Sequence, residues 1–345
     1  MRAYAILDGG GVKGAALAGC LLAAEERGIQ FLGYGGTSAG SIIALLACVG
    51  YSGDELREIA TEEIQLTDFL DDGGLALDDL KQLPNDLATS RWKSRILWKY
   101  RNLFYRIHRD LGLYRAHKLG EFLLAKIGKK LKPLKGKVDV TFEDLKRQGC
   151  PELKIVASDL ALREPRVFSG GGGAETNGSV IDAVRASMSY PFVFCPVQMN
   201  ERFLVDGGLS SNLPVYLFEK ERRKDSVPII AFDLVSSRSN QRSSYGLSQF
   251  CSDMLATALE SGDYLMRSVL DGIHHVPVPI PSGIDTLDLA RRRSAASEPL
   301  RPLGLVRRDR RFEVQRPSLP CVTATVCQSV NAFELKAVDA TQSHK

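Results

Sequence analysis

The chain has 345 residues, 44% of them hydrophobic and 25% charged, which excludes disorder throughout and leaves one large domain or two. Lysine and arginine number 45 against 41 acidic residues, a net of +4 that as an average favours neither a nucleic-acid binder nor an acidic tail protein. Seven cysteines, odd in number and never spaced Cys-x-x-Cys, point to reduced thiols in a cytoplasmic protein.

The chain opens with Ala3-Tyr4-Ala5-Ile6-Leu7, an apolar run before a glycine cluster, which predicts a buried strand. Val12 to Arg27 reads as a helix closed by Gly28. Within it, Leu17-Ala18-Gly19-Cys20 looks like the cleavage box of a bacterial lipoprotein, but Asp8, Lys13 and four glycines stand where a signal peptide needs an unbroken apolar run. Gln30 to Tyr34 predicts a second strand running into Gly35-Gly36-Thr37-Ser38-Ala39-Gly40, and Ser41 to Val49 is apolar on every face and so predicts a buried helix. Strand, turn, helix, strand, sharp turn, helix is the order of a parallel sheet covered by helices.

Further along, Thr141 to Asp144 and Ser179 to Asp182 fit capping boxes, the second opening a helix to about Met188. Strands are expected at Leu153 to Ala157, Pro228 to Leu234 and His275 to Ile280, a loop around Gly170 to Gly173, and a helix from Leu247 to about Leu270. The longest apolar stretches, Ala15 to Ala24 and Ala39 to Val49, are too short to cross a bilayer.

Charge is segregated. Residues 91–137 hold 15 Lys or Arg against Asp110 and Glu121, a net of +13, with Trp92, Trp98, Tyr100, Phe104, Tyr105 and Tyr114. At helical spacing Trp92, Ile96, Tyr100, Leu103, Ile107 and Leu111 form one stripe; it suits an interfacial helix on an anionic membrane and equally a helix docked on the domain with a solvated basic face. Residues 291–320 add nine arginines against three acids, a net of +6, without periodicity, and residues 291–345 are expected to form an Arg/Pro/Ser-rich, poorly ordered tail. The remainder carries −15.

Gly36-Thr37-Ser38-Ala39-Gly40 fits the Gly-x-Ser-x-Gly elbow, in which small neighbours let a serine sit exposed at a strand-to-helix turn. The helix start beneath Ser38 favours a developing alkoxide. Asp8-Gly9-Gly10-Gly11-Val12-Lys13-Gly14 offers bare backbone amides for an oxyanion, with Lys13 as an added charge. The same segment spells the dinucleotide fingerprint Gly-x-Gly-x-x-Gly, yet the second strand ends in the serine elbow where that motif needs an acidic residue. A P-loop is excluded too, because Lys13 follows Val12 and precedes Gly14.

None of His108, His117, His274, His275 and His344 lies in a catalytic signature, and His274 and His275 read as structural or surface histidines. Asp206-Gly207-Gly208, after the apolar run from Arg202 to Val205, reads by itself as an ordinary Asp-Gly turn.

Taken together, Asp8 to Gly14, the elbow at Ser38 and Asp206-Gly207-Gly208 resemble the patatin-like phospholipase family. Looser matches at Gly112 to Tyr114, Ile155 to Leu160, Ala186 to Pro191 and Asn212 to Pro214 extend the resemblance over about residues 1–285. It implies a three-layer α/β/α fold with a mainly parallel sheet and a catalytic domain at 1–290, the basic segment 91–137 being a helical insert or cap. It further implies a Ser38–Asp206 dyad without histidine, an oxyanion hole of Gly9, Gly10, Gly11 and Lys13, and Asp8, Gly14, Gly36, Gly40, Gly207 and Gly208 in supporting motifs.

The implied activity is hydrolysis of fatty-acyl esters, of phospholipase A or lysophospholipase type, through an acyl-enzyme. Asp206 is then expected to be partly desolvated, because an ordinary carboxylate is a weak base at neutral pH. The implied substrate is a phospholipid or lysophospholipid at an anionic membrane surface, reached from the cytoplasm. No cofactor or metal is expected, since no His or Cys cluster has ligand spacing, and no nucleic acid. Some bacterial members of the family look to be signal-gated antiphage effectors, which would make segment 91–137 a pocket for a nucleotide activator. The rival reading is a catalytically idle protein that binds lipid or nucleotide through that segment.

Overall fold

Alternation along the first strand, β1 (Arg2–Leu7), divides the core in two: Ala3, Ala5 and Leu7 pack into one apolar cluster, Tyr4 and Ile6 into another on the opposite face. The computed structural model describes residues 1–64, 66–71, 95, 98–170, 178–236, 250, 253–259 and 273–280. β1 is followed by a 3-10 turn at Gly11–Gly14 and helix α1 (Ala15–Glu26), then β2 (Gln30–Thr37), α2 (Ala39–Cys48) and α3 (Gly53–Glu58). Next come α4 (Arg101–Asp110), α5 (His117–Lys130), α6 (Phe142–Arg147), β3 (Glu152–Asp159), β4 (Glu164–Ser169) and α7 (Val180–Ser187). The described part closes with β5 (Val197–Met199), β6 (Arg202–Asp206), α8 (Gly208–Ser211), α9 (Glu219–Asp225), β7 (Ile229–Ser236) and β8 (Ile273–Ile280).

The sheet runs β5-β6-β3-β2-β1-β7-β8, with β4 paired to β3. The pairs β3–β2, β2–β1, β1–β7 and β7–β8 are parallel, and β4, β5 and β6 add antiparallel pairs. One face is covered thickly: residues of α1, α2, α3, α5, α6 and α7 share a single cluster with Ala3, Ala5 and Leu7. Among the described residues the other face is covered by Leu213, Val215, Leu217 and Phe218, with Phe218 stacked on Tyr4 at 4.6 Å between ring centroids. The three-layer α/β/α expectation holds, with a mostly parallel central sheet.

β3 organises the site. β4 occupies one of its edges from Lys154 to Asp159, so β2 and β6 both lie on the other edge, β2 reaching Val156 and β6 beginning at Ala157. The parallel strand that leads into the elbow and the antiparallel strand that ends in Asp206 therefore abut.

Several expectations shift. β2 continues through Gly35 and Gly36 to Thr37 instead of ending at Tyr34, because Leu217 and Phe218 pack directly over Gly35 and Gly40 over Gly36. Thr141 and Asp144 form the expected reciprocal capping box, whereas Ser179 caps α7 alone, its intended partner Asp182 being engaged by Arg185 at 2.8 Å. Leu119, Leu123 and Ile127 of α5 are fully buried in the main core.

On α4 the predicted stripe is the docked face at Tyr100 and Leu103, both buried, while Leu111 is exposed; Trp92 and Ile96 lie outside the described residues. So do Gly171 to Gly173, Cys251, Cys321, Cys327, His344, the tail at 291–345 and all of the 247–270 helix except its helical residues 250 and 253–259. Among the described residues no helix is long and apolar enough to cross a membrane.

Candidate active site

Ser38 sits between β2 and α2 with φ 50° and ψ −126°, a conformation that a side-chain-bearing residue holds only when its surroundings impose it. The surroundings here are specific. The Ser38 N–H donates to Ser187 Oγ at 2.8 Å, Ser187 in turn donates to the Val156 carbonyl at 2.6 Å, and the Ser38 carbonyl accepts from Ser41 Oγ at 2.6 Å. α2 begins immediately after, with all ten of its residues buried, so its positive end lies under the Ser38 hydroxyl.

The Ser38 hydroxyl donates to Asp206 Oδ2 at 2.8 Å, and Met188 Sδ stands 3.8 Å from Ser38 Oγ. Asp206 ends β6 opposite Ala157, is 2% exposed, and accepts from the Gly208 N–H at 2.8 Å through Oδ1. Burial pushes its carboxyl up to about 6, against the opposing pull of the bonds from Gly208 and Ser38. Its backbone is clamped as well, its N–H on the Ser189 carbonyl at 2.9 Å and its carbonyl on Ser158 Oγ at 2.8 Å. Gly207 follows because a Cβ there would run into the Val156 carbonyl and lie 2.9 Å from Thr37 Cγ2.

The glycine-rich loop comes up against this pair. A Cβ on Gly9 would lie 3.3 Å from Ser38 Cβ, one on Gly14 would lie 2.6 Å from Ala39 Cβ, and one on Gly40 would lie 2.5 Å from the Leu7 and Asp8 carbonyls. Gly11 has φ 53°, the left-handed region that glycine enters without strain. The Gly9 N–H donates to the Asn212 carbonyl at 3.2 Å; among the described residues the Gly10 and Gly11 N–H groups have no such backbone acceptor. Lys13 is buried at the end of the 3-10 turn, its N–H on the Gly10 carbonyl at 3.0 Å.

Two residues outside the three motifs complete the arrangement. Asn212 Nδ2 donates to Asp8 Oδ1 at 2.7 Å and to the Gly9 carbonyl at 3.2 Å, tying the glycine loop to the segment after Asp206. Asp8, also 2% exposed, accepts the Leu234 N–H at 2.9 Å through its other oxygen. Ser187 is the second, holding Ser38 as described. Both stand in stretches already conspicuous in the sequence, Ala186 to Pro191 and Asn212 to Pro214, but only their partners in space reveal what they hold. Of the histidines, His275 Nε2 lies 2.7 Å from Asp233 Oδ2 between β8 and β7, while the serine hydroxyl turns to Asp206.

A family model described as patatin-like phospholipase matches residues 5–218. The Bacillus subtilis protein YqhO is 33% identical over 238 residues, covering 66% of this chain and 70% of its own length. The Acanthamoeba polyphaga mimivirus protein R571 is 30% identical over 222 residues, covering 63% of this chain and 62% of its own. Among solved structures, VipD of Legionella pneumophila is 16% identical with a TM-score of 0.44, over 86% of this chain and 64% of that one. ExoU of Pseudomonas aeruginosa, solved in complex with SpcU, is 20% identical with a TM-score of 0.40, over 78% of this chain and 53% of that one. The chain thus spans less than two thirds of R571, VipD and ExoU.

Proposed function

The chain belongs to the patatin-like phospholipase family, and from that premise we propose that it is a lipid acyl hydrolase of phospholipase A or lysophospholipase type, with Ser38 as nucleophile and Asp206 as its base. The observation that carries this reading is the 2.8 Å bond from the Ser38 hydroxyl to a fully buried carboxylate whose proton affinity is raised toward neutrality.

As Ser38 Oγ attacks the acyl carbonyl, its proton passes to Asp206 Oδ2 and the carbonyl becomes a tetrahedral oxyanion. The N–H groups of Gly10 and Gly11 receive that charge, aided by the positive end of α2. The protonated Asp206 then gives its proton to the leaving oxygen of the glycerol backbone as the ester bond breaks, leaving an acyl-serine. Water, activated by the same carboxylate, releases the fatty acid and restores Ser38. Burial serves both halves: it makes Asp206 basic enough to take the proton and acidic enough, once protonated, to return it.

The lipid surface meets the outer face of α4. Tyr105 of α4 is 60% exposed and Trp98, just before the helix, is 72% exposed, with Arg101 over the Trp98 ring at 4.7 Å and Arg109 over the Tyr105 ring at 5.1 Å. Exposed aromatic rings capped by guanidinium groups suit the headgroup region of an anionic bilayer entered from the cytoplasmic side. A nucleotide activator, as in signal-gated antiphage effectors, would meet the same cations, and turnover measured with and without added nucleotide separates a gated enzyme from a constitutive one.

The test of the dyad is Ser38→Ala and Asp206→Asn assayed separately on phospholipid vesicles and on a short-chain ester. Each is expected to lower turnover on the order of 10³-fold or more. Activity that survives both changes overturns the reading.

A further inference from the structure

The segment after α4 and the segment after α7 are stitched together beside the dyad. The Val193 carbonyl accepts both the Leu113 and the Tyr114 N–H at 3.0 Å, and the Cys195 N–H donates to the Tyr114 carbonyl at 2.7 Å. Leu113, Tyr114, Val193 and Phe194 are buried at this crossing, yet Leu111 and Phe192, which come just before them on the two segments, are 49% and 58% exposed. We propose that Leu111 and Phe192 are a pair of membrane-inserting side chains that enter the hydrocarbon boundary of an anionic bilayer and hold the dyad against it.

Both residues sit where the backbone resists them. Among the described residues eight that are not glycine have positive φ, and Leu111 at 57° and Phe192 at 68° are the two large apolar side chains in that set. The left-handed region crowds a Cβ against the neighbouring carbonyl, whereas glycine or asparagine occupies it at little cost. Leu111 also ends α4, where a left-handed glycine is the common terminator. Burial does not offset the strain, because about half of each residue stays in contact with water. The crossing beneath them is firm, with the Tyr114 and Phe194 rings 6.2 Å apart between centroids. Strain kept on a firm base without a packing gain points to a contact outside the molecule.

A bilayer is the occupant that the surroundings favour. Leu111 directly follows α4, so the pair continues the surface assigned above to lipid headgroups, and the inference rests on that assignment. Arg106, Arg109, Arg115 and Lys118 flank Leu111 against Asp110, and Asp71, which accepts the Arg115 N–H at 2.7 Å, still leaves a positive surplus. Such cations attract anionic headgroups while apolar side chains reach past them. On the other segment Phe192 lies three residues beyond Ser189, whose carbonyl holds the Asp206 N–H, which is at most about 11 Å of chain. Insertion here brings lipid to the dyad and not to a distant face.

The experiment measures penetration of the full-length chain into monolayers of ether-linked phosphatidylglycerol and phosphatidylcholine, lipids with no acyl ester to cleave, over a range of starting surface pressures. The unaltered chain is expected to penetrate films up to a definite limiting pressure. Leu111→Gly with Phe192→Gly, and separately Leu111→Asn with Phe192→Asn, are expected to lower that limit. Their Tm, followed by circular dichroism, is expected to stay unchanged or rise, because both replacements accept the left-handed backbone. An unchanged limit in both double variants overturns the proposal, and so does a fall in Tm in both, which would make the two residues part of the core. Absence of penetration by the unaltered chain overturns it as well and leaves a protein partner as the occupant of this face. No readout depends on acyl hydrolysis, so failure here and failure of the Ser38–Asp206 reading are separate events.

Discussion

Thr37 and Asp206 face consecutive residues of β3, Val156 and Ala157, from two different strands on one shared edge. The serine after Thr37 therefore meets the aspartate across a single step of the sheet, although 168 positions separate them in the chain. Side chains alternate faces along a strand, so a slip of one residue in either pairing would turn Asp206 away from Ser38. The clamps on Asp206, from Ser189 to its N–H and from Ser158 to its carbonyl, hold that register.

Turnover of a soluble ester is expected to rise with pH through about 6 and level off above it, because Asp206 must be unprotonated to accept the serine proton. A kcat/KM profile with no inflection in that range counts against Asp206 as the base.

Stability runs the other way. The folded carboxyl holds its proton to higher pH than the unfolded one, so its contribution is greatest below the unfolded value, roughly pH 4, and is lost as pH climbs through about 6. The ionised group then costs the fold up to about 3 kcal/mol at neutral pH. Asp206→Asn should accordingly raise Tm at neutral pH more than near pH 4, and an equal change at both would mean the carboxylate is not held charged in the dry interior.

Gly207→Ala should destabilise by about 1–3 kcal/mol or prevent folding, since the new methyl group meets the Val156 backbone carbonyl and neither strand can yield. Thermal unfolding followed by circular dichroism checks it; a variant with unchanged Tm would show that β2, β3 and β6 do not pack as described.

Asn212→Ala removes the bonds to Asp8 and the Gly9 carbonyl while leaving Ser38 and Asp206 untouched. The glycine loop then keeps only the Gly9 N–H bond to the residue 212 carbonyl and the Leu234 N–H bond to Asp8, and a misplacement of about 1 Å lowers kcat on the order of 10²-fold. The diagnostic is the split: kcat falls, KM moves little, and the pH inflection from Asp206 stays in place. Loss of that inflection would implicate the dyad itself.

Trp98→Ala with Arg101→Ala should weaken binding to anionic vesicles, the cation alone by about 1 kcal/mol, and leave turnover of a soluble ester intact. Sedimentation with vesicles of increasing anionic lipid reads the first, ester hydrolysis the second. Equal loss on both would make the aromatic–arginine face part of the scaffold alone.

What the sequence discloses about the site is whatever is enforced locally. The elbow, the glycine loop and Asp206-Gly207-Gly208 are legible because two backbones meeting closely leave no room for a side chain, and only glycine satisfies that condition. Ser187 and Asn212 are not legible in the same way, since an ordinary serine or asparagine acquires a role only from the group opposite it in space. The same contrast separates β1, β2, β3 and β7, whose apolar runs announce them, from β4, whose mixed burial gives no clear period. For α4 periodicity cannot say whether lipid or protein covers an apolar stripe; Tyr100 and Leu103 are buried by protein, Leu111 is exposed, and the exposed rings belong to Tyr105 of α4 and to Trp98 just before it.

The burial of every residue of α2 has a consequence for anyone altering this protein. Helices usually offer a solvent-facing side on which charge and solubility can be adjusted at little cost, and this one has none. A mutational library across residues 39–48 should return almost only small or size-matched apolar residues, and gains in thermostability should come from other helices, such as α9, which has no buried residues.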